Sequence, residues 1–286
     1  MKYLLFNPLS GDGESYDYAK KMSEDSQDEY QILNLTEISD FHSFIGSLSA
    51  DDDIYLLGGD GTLNRFVNEI SDVDVKSNVY YYPAGTGNDF CVDIAMEKCE
   101  KPFLINDYIK NLPSVTVDGK EYKFINGVGF GIDGYCCEVG DKVKAENKKP
   151  NYTAIAIKGL LFHFKPVNAT VTVDGAVHEY KKVWIAPTMF GRHYGGGMIP
   201  TPDQKRDDGN VSVMIFHGSG KLKTLMIFPS IFKGEHVKKE KYVTVMRGKE
   251  ISVKFDRPTP LQIDGETFLG ITEYKVTASA SVLKNK

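Results

Sequence analysis

Ile54-Tyr55-Leu56-Leu57-Gly58-Gly59-Asp60-Gly61-Thr62-Leu63-Asn64 decides how this chain is read. Its four apolar residues follow an acidic turn, Asp51-Asp52-Asp53, and read as a short buried strand. Beyond the glycines, Leu63, Phe66, Val67 and Ile70 recur at i, i+3, i+4 and i+7, the stripe of a helix packed on a sheet. The chain passes from strand to helix through Gly58, Gly59 and Gly61. Glycine there permits positive φ and the close approach of a bulky anion, while the helix N-terminus offers unpaired N–H groups and the positive end of its dipole. That is chemistry for a phosphate. Thr62 is placed to cap the helix, and Asp60 would repel a phosphate unless a divalent cation lay between them, so magnesium is expected at Asp60.

A second turn of the same kind follows. The strand Val79-Tyr80-Tyr81-Tyr82 runs into Pro83-Ala84-Gly85-Thr86-Gly87-Asn88-Asp89-Phe90 and then a helix. Two glycine turns at successive strand ends face each other at one edge of a parallel sheet, where open α/β sheets bind ligands.

These two segments, with Asn7-Pro8-Leu9-Ser10-Gly11 at the N-terminus and Asp264-Gly265-Glu266 near the C-terminus, resemble the motifs of the diacylglycerol kinase catalytic-domain family, which includes bacterial lipid kinases and the sphingosine and ceramide kinases. NAD kinases and phosphofructokinases carry a similar GGDGT, so the resemblance rests on the combination and its order. It implies an ATP-dependent lipid kinase acting on a hydroxyl of diacylglycerol or a related membrane lipid, in a cleft between two domains. It implies nucleotide contacts at Asn7, Pro8, Ser10, Gly11, Thr36, Gly58, Gly59, Asp60, Gly61, Thr62, Asn64, Gly85, Thr86, Gly87, Asn88 and Asp89. It assigns the catalytic base to Glu266 or Asp264, and catalytic magnesium to Asp60, directly or through water. A second, structural magnesium is implied on the Asp208 side chain and the main-chain carbonyls of Lys205 and Asn210. Two alternatives stay open at this level: a soluble-substrate kinase resembling NAD kinase, and a non-catalytic nucleotide or lipid sensor.

With 286 residues, 41% hydrophobic and 12% aromatic, the chain can bury a sizeable core and is long enough for two domains. Its N-terminal apolar stretch is too short for a signal peptide, and no apolar run approaches the roughly 18 residues that span a bilayer. The expectation is a cytoplasmic protein that visits the inner membrane surface as a peripheral enzyme. Cys91, Cys99, Cys136 and Cys137 lack CxxC spacing and read as reduced thiols. Residues 1–60 hold three lysines against thirteen carboxylates, whereas residues 221–249 hold eight lysines and arginines against two, a basic stretch suited to an anionic surface or phosphate. The net charge of −5 argues against nucleic acid as the main partner.

In chain order, strands at 2–6 and 30–35 and helices at 15–22 and 41–48 precede the central strand, which predicts a parallel, right-handed, three-layer α/β domain over residues 1–115, like that of NAD and diacylglycerol kinases. Residues 116–271 read as a β-sandwich, the lipid-substrate domain, with 272–286 a candidate to pack back on the first. Its hairpin signals are Asp118-Gly119 and Asp174-Gly175 between alternating runs, with further runs at 211–216, 242–246, 250–255 and 274–278. A helix is expected over 151–164, and a sandwich edge strand could mediate a homodimer. Gly129-Phe130-Gly131-Ile132-Asp133-Gly134 matches GxGxxG without a clear βαβ unit after it, and Gly218-Ser219-Gly220-Lys221 is followed by Leu222 where a Walker A needs Ser or Thr. Of six scattered histidines, only His193, before Gly195-Gly196-Gly197, is singled out.

Overall fold

Why the apolar runs become buried strands is seen in a computed structural model that describes residues 1–10, 13–85, 87–94 and 101–279. The chain divides into two compact units, Met1–Asn111 and Leu112–Lys286.

In the first unit, β1 (Lys2–Phe6), β2 (Tyr30–Asn34), β3 (Asp53–Gly58) and β4 (Asn78–Pro83) form a parallel sheet in the order β2-β1-β3-β4. A two-residue edge strand, β5 (Phe103–Leu104), runs antiparallel to β4, closing a sheet the sequence predicts as wholly parallel. Side chains alternate between the faces. On one face Leu4 and Leu57 pack with Ala19 of α1 (Ser15–Glu24). On the other, α2 (Phe41–Ser47) and α3 (Asp60–Glu69) meet through Phe41 and Phe66, whose ring centroids are 5.8 Å apart, and Tyr3 meets Phe44. Helices on both faces make the three layers. Asp40 caps α2 by accepting the Ser43 amide at 2.9 Å, and α4 (Asp89–Asp93) and α5 (Asn106–Ile109) complete the unit.

The second unit is a β-sandwich built on one bent strand. Its elements are β6 (Ser114–Val117), β7 (Lys120–Lys123), β8 (Gly127–Phe130), α6 (Ile132–Ala145), α7 (Tyr152–Lys158), β9 (Val167–Val173), β10 (Ala176–Val183), β11 (Thr188–Met189), β12 (Val211–Phe216), α8 (Lys221–Ile227), β13 (Val243–Gly248), β14 (Glu250–Ile263) and β15 (Glu266–Thr277). Residues 251–255 of β14 pair with β9, residues 261–263 with β8, and β15 follows it on the other side. The ladder with β15 shifts between Lys254 and Thr259, where Pro258 can donate no hydrogen bond. There the strand bends and serves both layers. Phe130 stacks on Phe255 at 3.9 Å across the core, and Tyr274 meets the Phe130 ring edge at 5.7 Å. The hairpin turns Asp118-Gly119, Asp174-Gly175 and Asp264-Gly265 all have positive φ at both residues, the geometry that matches the twist of the paired strands. Residues 272–277, a candidate for return to the first domain, lie in β15 paired with β14 and β6.

Two helical features differ from expectation. The helix over 151–164 is α7 continued by a π-turn, Gly159–His163. The fourteen-residue α6 has no counterpart in the sequence pattern, because Gly134 and Gly140 interrupt its periodicity. Both are required by packing: a Cβ on Gly134 would lie 2.0 Å from the Pro260 carbonyl oxygen, and one on Gly140 2.6 Å from the Tyr152 ring. Although β8 runs through Gly131 into α6, β8 is antiparallel to both β11 and β14, so the GxGxxG match is no βαβ unit. Among the described residues no helix is long and apolar enough to cross a membrane.

Gly131 has φ of 119°, and a Cβ there would sit 2.5 Å from the Trp184 carbonyl oxygen. Gly131→Ala is therefore expected to destabilise the second unit by about 2–4 kcal/mol. Trp184, the sole tryptophan and fully buried, reports this unit in urea denaturation by fluorescence; an unchanged midpoint would refute the expectation.

Candidate functional site

Strand order reverses between β1 and β3, so the turns that leave these strands lie side by side at the sheet's C-terminal edge. They are tied together by side chains. Thr62 Oγ1 accepts from Asn7 Nδ2 at 2.8 Å and shares a 2.7 Å hydrogen bond with Ser10 Oγ. Thr62 is thus a buried bridge inside α3 rather than its cap; the N-cap is Gly59, which makes no side-chain bond. Asp60 reaches the other way. Its Oδ2 accepts the Asp89 amide at 3.0 Å and its Oδ1 the Phe90 amide at 2.9 Å, at the start of α4. One carboxylate thereby fastens the third motif to the second.

The glycines serve closeness rather than unusual φ. None of Gly58, Gly59 and Gly61 has positive φ, contrary to the freedom expected of them, and neither has Gly85; Asn88 takes that conformation instead, with φ of 50°. A Cβ on Gly85 would lie 2.5 Å from the Gly59 Cα, and one on Gly58 2.4 Å from the Thr62 Cβ. The two turns touch backbone to backbone, and only glycine allows it. Asn88 Nδ2 donates to the Gly85 carbonyl at 2.9 Å, while Asn64 and Asp89 are buried and Pro8 half-buried in the same region. Thr36 is exposed at the end of β2, with its amide and hydroxyl both donating to Asn34 Oδ1. Gly11 and Thr86 lie outside the described residues.

In the second unit the DGE motif divides its labour. Asp264 Oδ2 accepts the Ile125 amide at 2.5 Å, and Oδ1 accepts those of Asn126 and Gly127 at 2.8 and 2.9 Å. Three charge-assisted bonds to backbone N–H groups fix the turn to the start of β8. Glu266, two residues on, is exposed, and its carboxylate has no hydrogen-bond or ion-pair partner among the described residues.

Residues the sequence reading missed complete this framework. Arg206 donates to the Ile125 carbonyl at 2.5 Å and to Asn126 Oδ1 at 2.9 Å, bracing the segment that Asp264 holds. Gln262 Oε1 accepts the Gly265 amide at 2.7 Å, and its carboxamide also donates to Asp133. Asp133, buried near the start of α6, receives the Tyr194 hydroxyl at 3.1 Å; burial pushes its carboxyl up to about 6 despite these donors. The signal available in the sequence was a lone Asp or Gln within an apolar run, which is weak on its own. His193 adjoins Tyr194 and is half-buried.

The loop at residues 205–210 is also internally bonded. Gln204 Nε2 donates to the Lys205 and Asn210 carbonyls at 2.8 and 2.9 Å. Asp208 Oδ1 accepts the Asn210 amide at 3.1 Å, and its Oδ2 pairs with Arg247.

A family model described as "Diacylglycerol kinase catalytic domain" matches residues 2–115, and one described as "YegS C-terminal NAD kinase beta sandwich-like domain" matches residues 126–283. The chain is similar to a protein of Mycobacterium tuberculosis (strain ATCC 25618 / H37Rv) named diacylglycerol kinase, at 24% identity over 87% of this chain and 84% of that one. Its fold is shared with a solved structure titled as a diacylglycerol kinase from Bacillus anthracis str. Sterne, with a TM-score of 0.63 at 18% identity, covering 99% of this chain and 94% of that one.

Asp133 sets a pH dependence whose sign follows from its shift. The folded state holds the proton up to about pH 6, against 3.8 for the ordinary carboxyl, so the stability it contributes is full below 3.8 and lost as pH rises to 6. The loss is about 3 kcal/mol for one group. Asp133→Asn removes it, so the wild type is expected to lose stability relative to the variant between pH 4 and about 6.5, measured by urea midpoints on Trp184 fluorescence. A difference independent of pH would show that Asp133 does not carry the shift.

Proposed function

Because the chain belongs to the family that joins a diacylglycerol kinase catalytic domain to a YegS-type beta sandwich-like domain, we propose that it is an ATP-dependent lipid kinase, transferring the γ-phosphoryl group to a hydroxyl of diacylglycerol or a related membrane lipid. The observation that carries this reading is the division of labour among the acidic residues. Asp60 in the first unit and Asp264 in the second each accept backbone amides, and Glu266, two residues after Asp264, is exposed.

The first unit supplies the nucleotide's site. The turns after β1, β3 and β4 are held together by Thr62 and Asp60, and the N-terminus of α3 directs amides and dipole toward a phosphate. Each Asp60 oxygen can accept more than one partner, so its amide contacts are compatible with a hydrated magnesium held directly or through water. Magnesium bound with ATP would neutralise charge on the transferring phosphoryl group. The second unit supplies the base. Glu266 takes the proton of the attacking hydroxyl, while Asp264, Gln262 and Arg206 hold the turn from which it projects. Phosphoryl transfer asks little else of a protein than position and charge. A lipid acceptor requires the enzyme to work at the membrane surface from the cytosolic side.

The test is transfer of labelled phosphate from ATP and magnesium to a panel of lipids in mixed micelles. Glu266→Gln is expected to lower kcat by about 10²–10⁴ with ATP affinity retained, since it changes the proton acceptor alone. Asp60→Ala is expected to lose activity and ATP binding together, because it unfastens two turns. A Glu266→Gln enzyme with wild-type kcat would remove the base from this proposal, and folded, ATP-binding protein that phosphorylates no lipid would remove the lipid.

A further inference from the structure

We propose that Gln204 and Arg247 do in this chain the work of a structural cation, so that the loop at residues 205–210 closes without magnesium. The resemblance placed that ion on three oxygen ligands: the Asp208 carboxylate and the carbonyls of Lys205 and Asn210. The two carbonyls converge on a single protein atom, Gln204 Nε2, at 2.8 and 2.9 Å. Magnesium binds oxygen at about 2.1 Å in an octahedron that tolerates little distortion, and no cation can take a point already filled by an N–H₂ group. The residues present therefore do not fit the ion.

The replacement is built rather than incidental. Gln204 is 4% exposed, and its Oε1 receives the Ser212 hydroxyl at 2.6 Å. Carbonyl oxygens only accept, so their position requires the amide nitrogen on that side and fixes the side chain's orientation. Positive charge comes from Arg247, paired with Asp208 Oδ2. Ser212 and Arg247 face each other directly in the β12–β13 ladder, so one register position places Arg247 and the hydroxyl that orients Gln204 at the same loop. The carboxylate keeps a cationic partner, the carbonyls keep donors, and no ion is needed. Register and loop are coupled: a slip of β13 by one residue would turn Arg247 to the other face.

The experiment uses the full chain without nucleotide, which keeps any magnesium of the ATP site out of the reading. Metal content is measured after gel filtration, and melting is followed by Trp184 fluorescence in EDTA and in millimolar magnesium. The wild type is expected to retain no stoichiometric metal and to melt at the same temperature in both. Gln204→Glu keeps shape and volume but sets an acceptor against two carbonyls; its Tm in EDTA is expected to fall by about 4–10 °C. Arg247→Gln, milder and compatible with folding, is expected to lose about 2–4 °C. One equivalent of magnesium retained by the wild type, a wild-type Tm lowered by EDTA, or variants that melt with the wild type would each overturn the proposal.

Discussion

Asp60 carries the first unit's arrangement. Its carboxylate accepts two backbone amides at the start of α4 while its own backbone begins α3, so a single residue sets the separation of two glycine turns. Hydrogen bonds to an ionised acceptor contribute about 1.5–3 kcal/mol each, and more is lost when a buried donor is left without one. The turns are then close enough that Gly59 and Gly85 touch through their backbones. Thr62 adds the first motif through Asn7 and Ser10. A polar surface assembled from three separate strand ends results, and its order depends on side chains of one ten-residue helix.

The second unit uses the same device. Asp264 gathers three consecutive amides at the entry to β8, and Gln262 holds the amide of Gly265, so the turn is clamped on both sides. An acidic residue in a motif invites assignment as a base or ligand, and here Asp264 also has a structural task, since its carboxylate accepts three backbone N–H groups. Glu266, by contrast, is exposed, the carboxylate that the proposed reading makes the base. The buried Asp133 behind Gln262 shows the reverse balance, where loss of solvent outweighs its donors and raises the carboxyl to about 6.

The loop at residues 205–210 applies this reasoning to a cation. Where a carboxylate and two carbonyls would ask for a metal, a carboxamide and a guanidinium meet the same needs from within the chain. A loop closed by side chains is set by the strand register that places them; a loop closed by an ion would also depend on its concentration.

The sequence by itself determined the elements with unambiguous period: the buried strands β1, β3 and β4, the stripe of α3, and the Asp-Gly hairpins, because apolar alternation and turn chemistry are local properties. It also located the four motifs, since their residue types and order are visible without a fold. Only the tertiary structure decided which partners those residues meet. The glycines of the phosphate turns are needed for backbone contact between segments some 25 residues apart, not for the φ values expected of them. Thr62 bridges to Asn7 instead of capping, and α6 was hidden because Gly134 and Gly140 answer to Pro260 and Tyr152, distant in sequence. That Asp264 accepts three backbone amides while Glu266 is exposed, and that Gln204 fills the 205–210 loop, were equally out of reach. Each turns on which partner a side chain meets across the fold, and pattern along the chain carries no record of that.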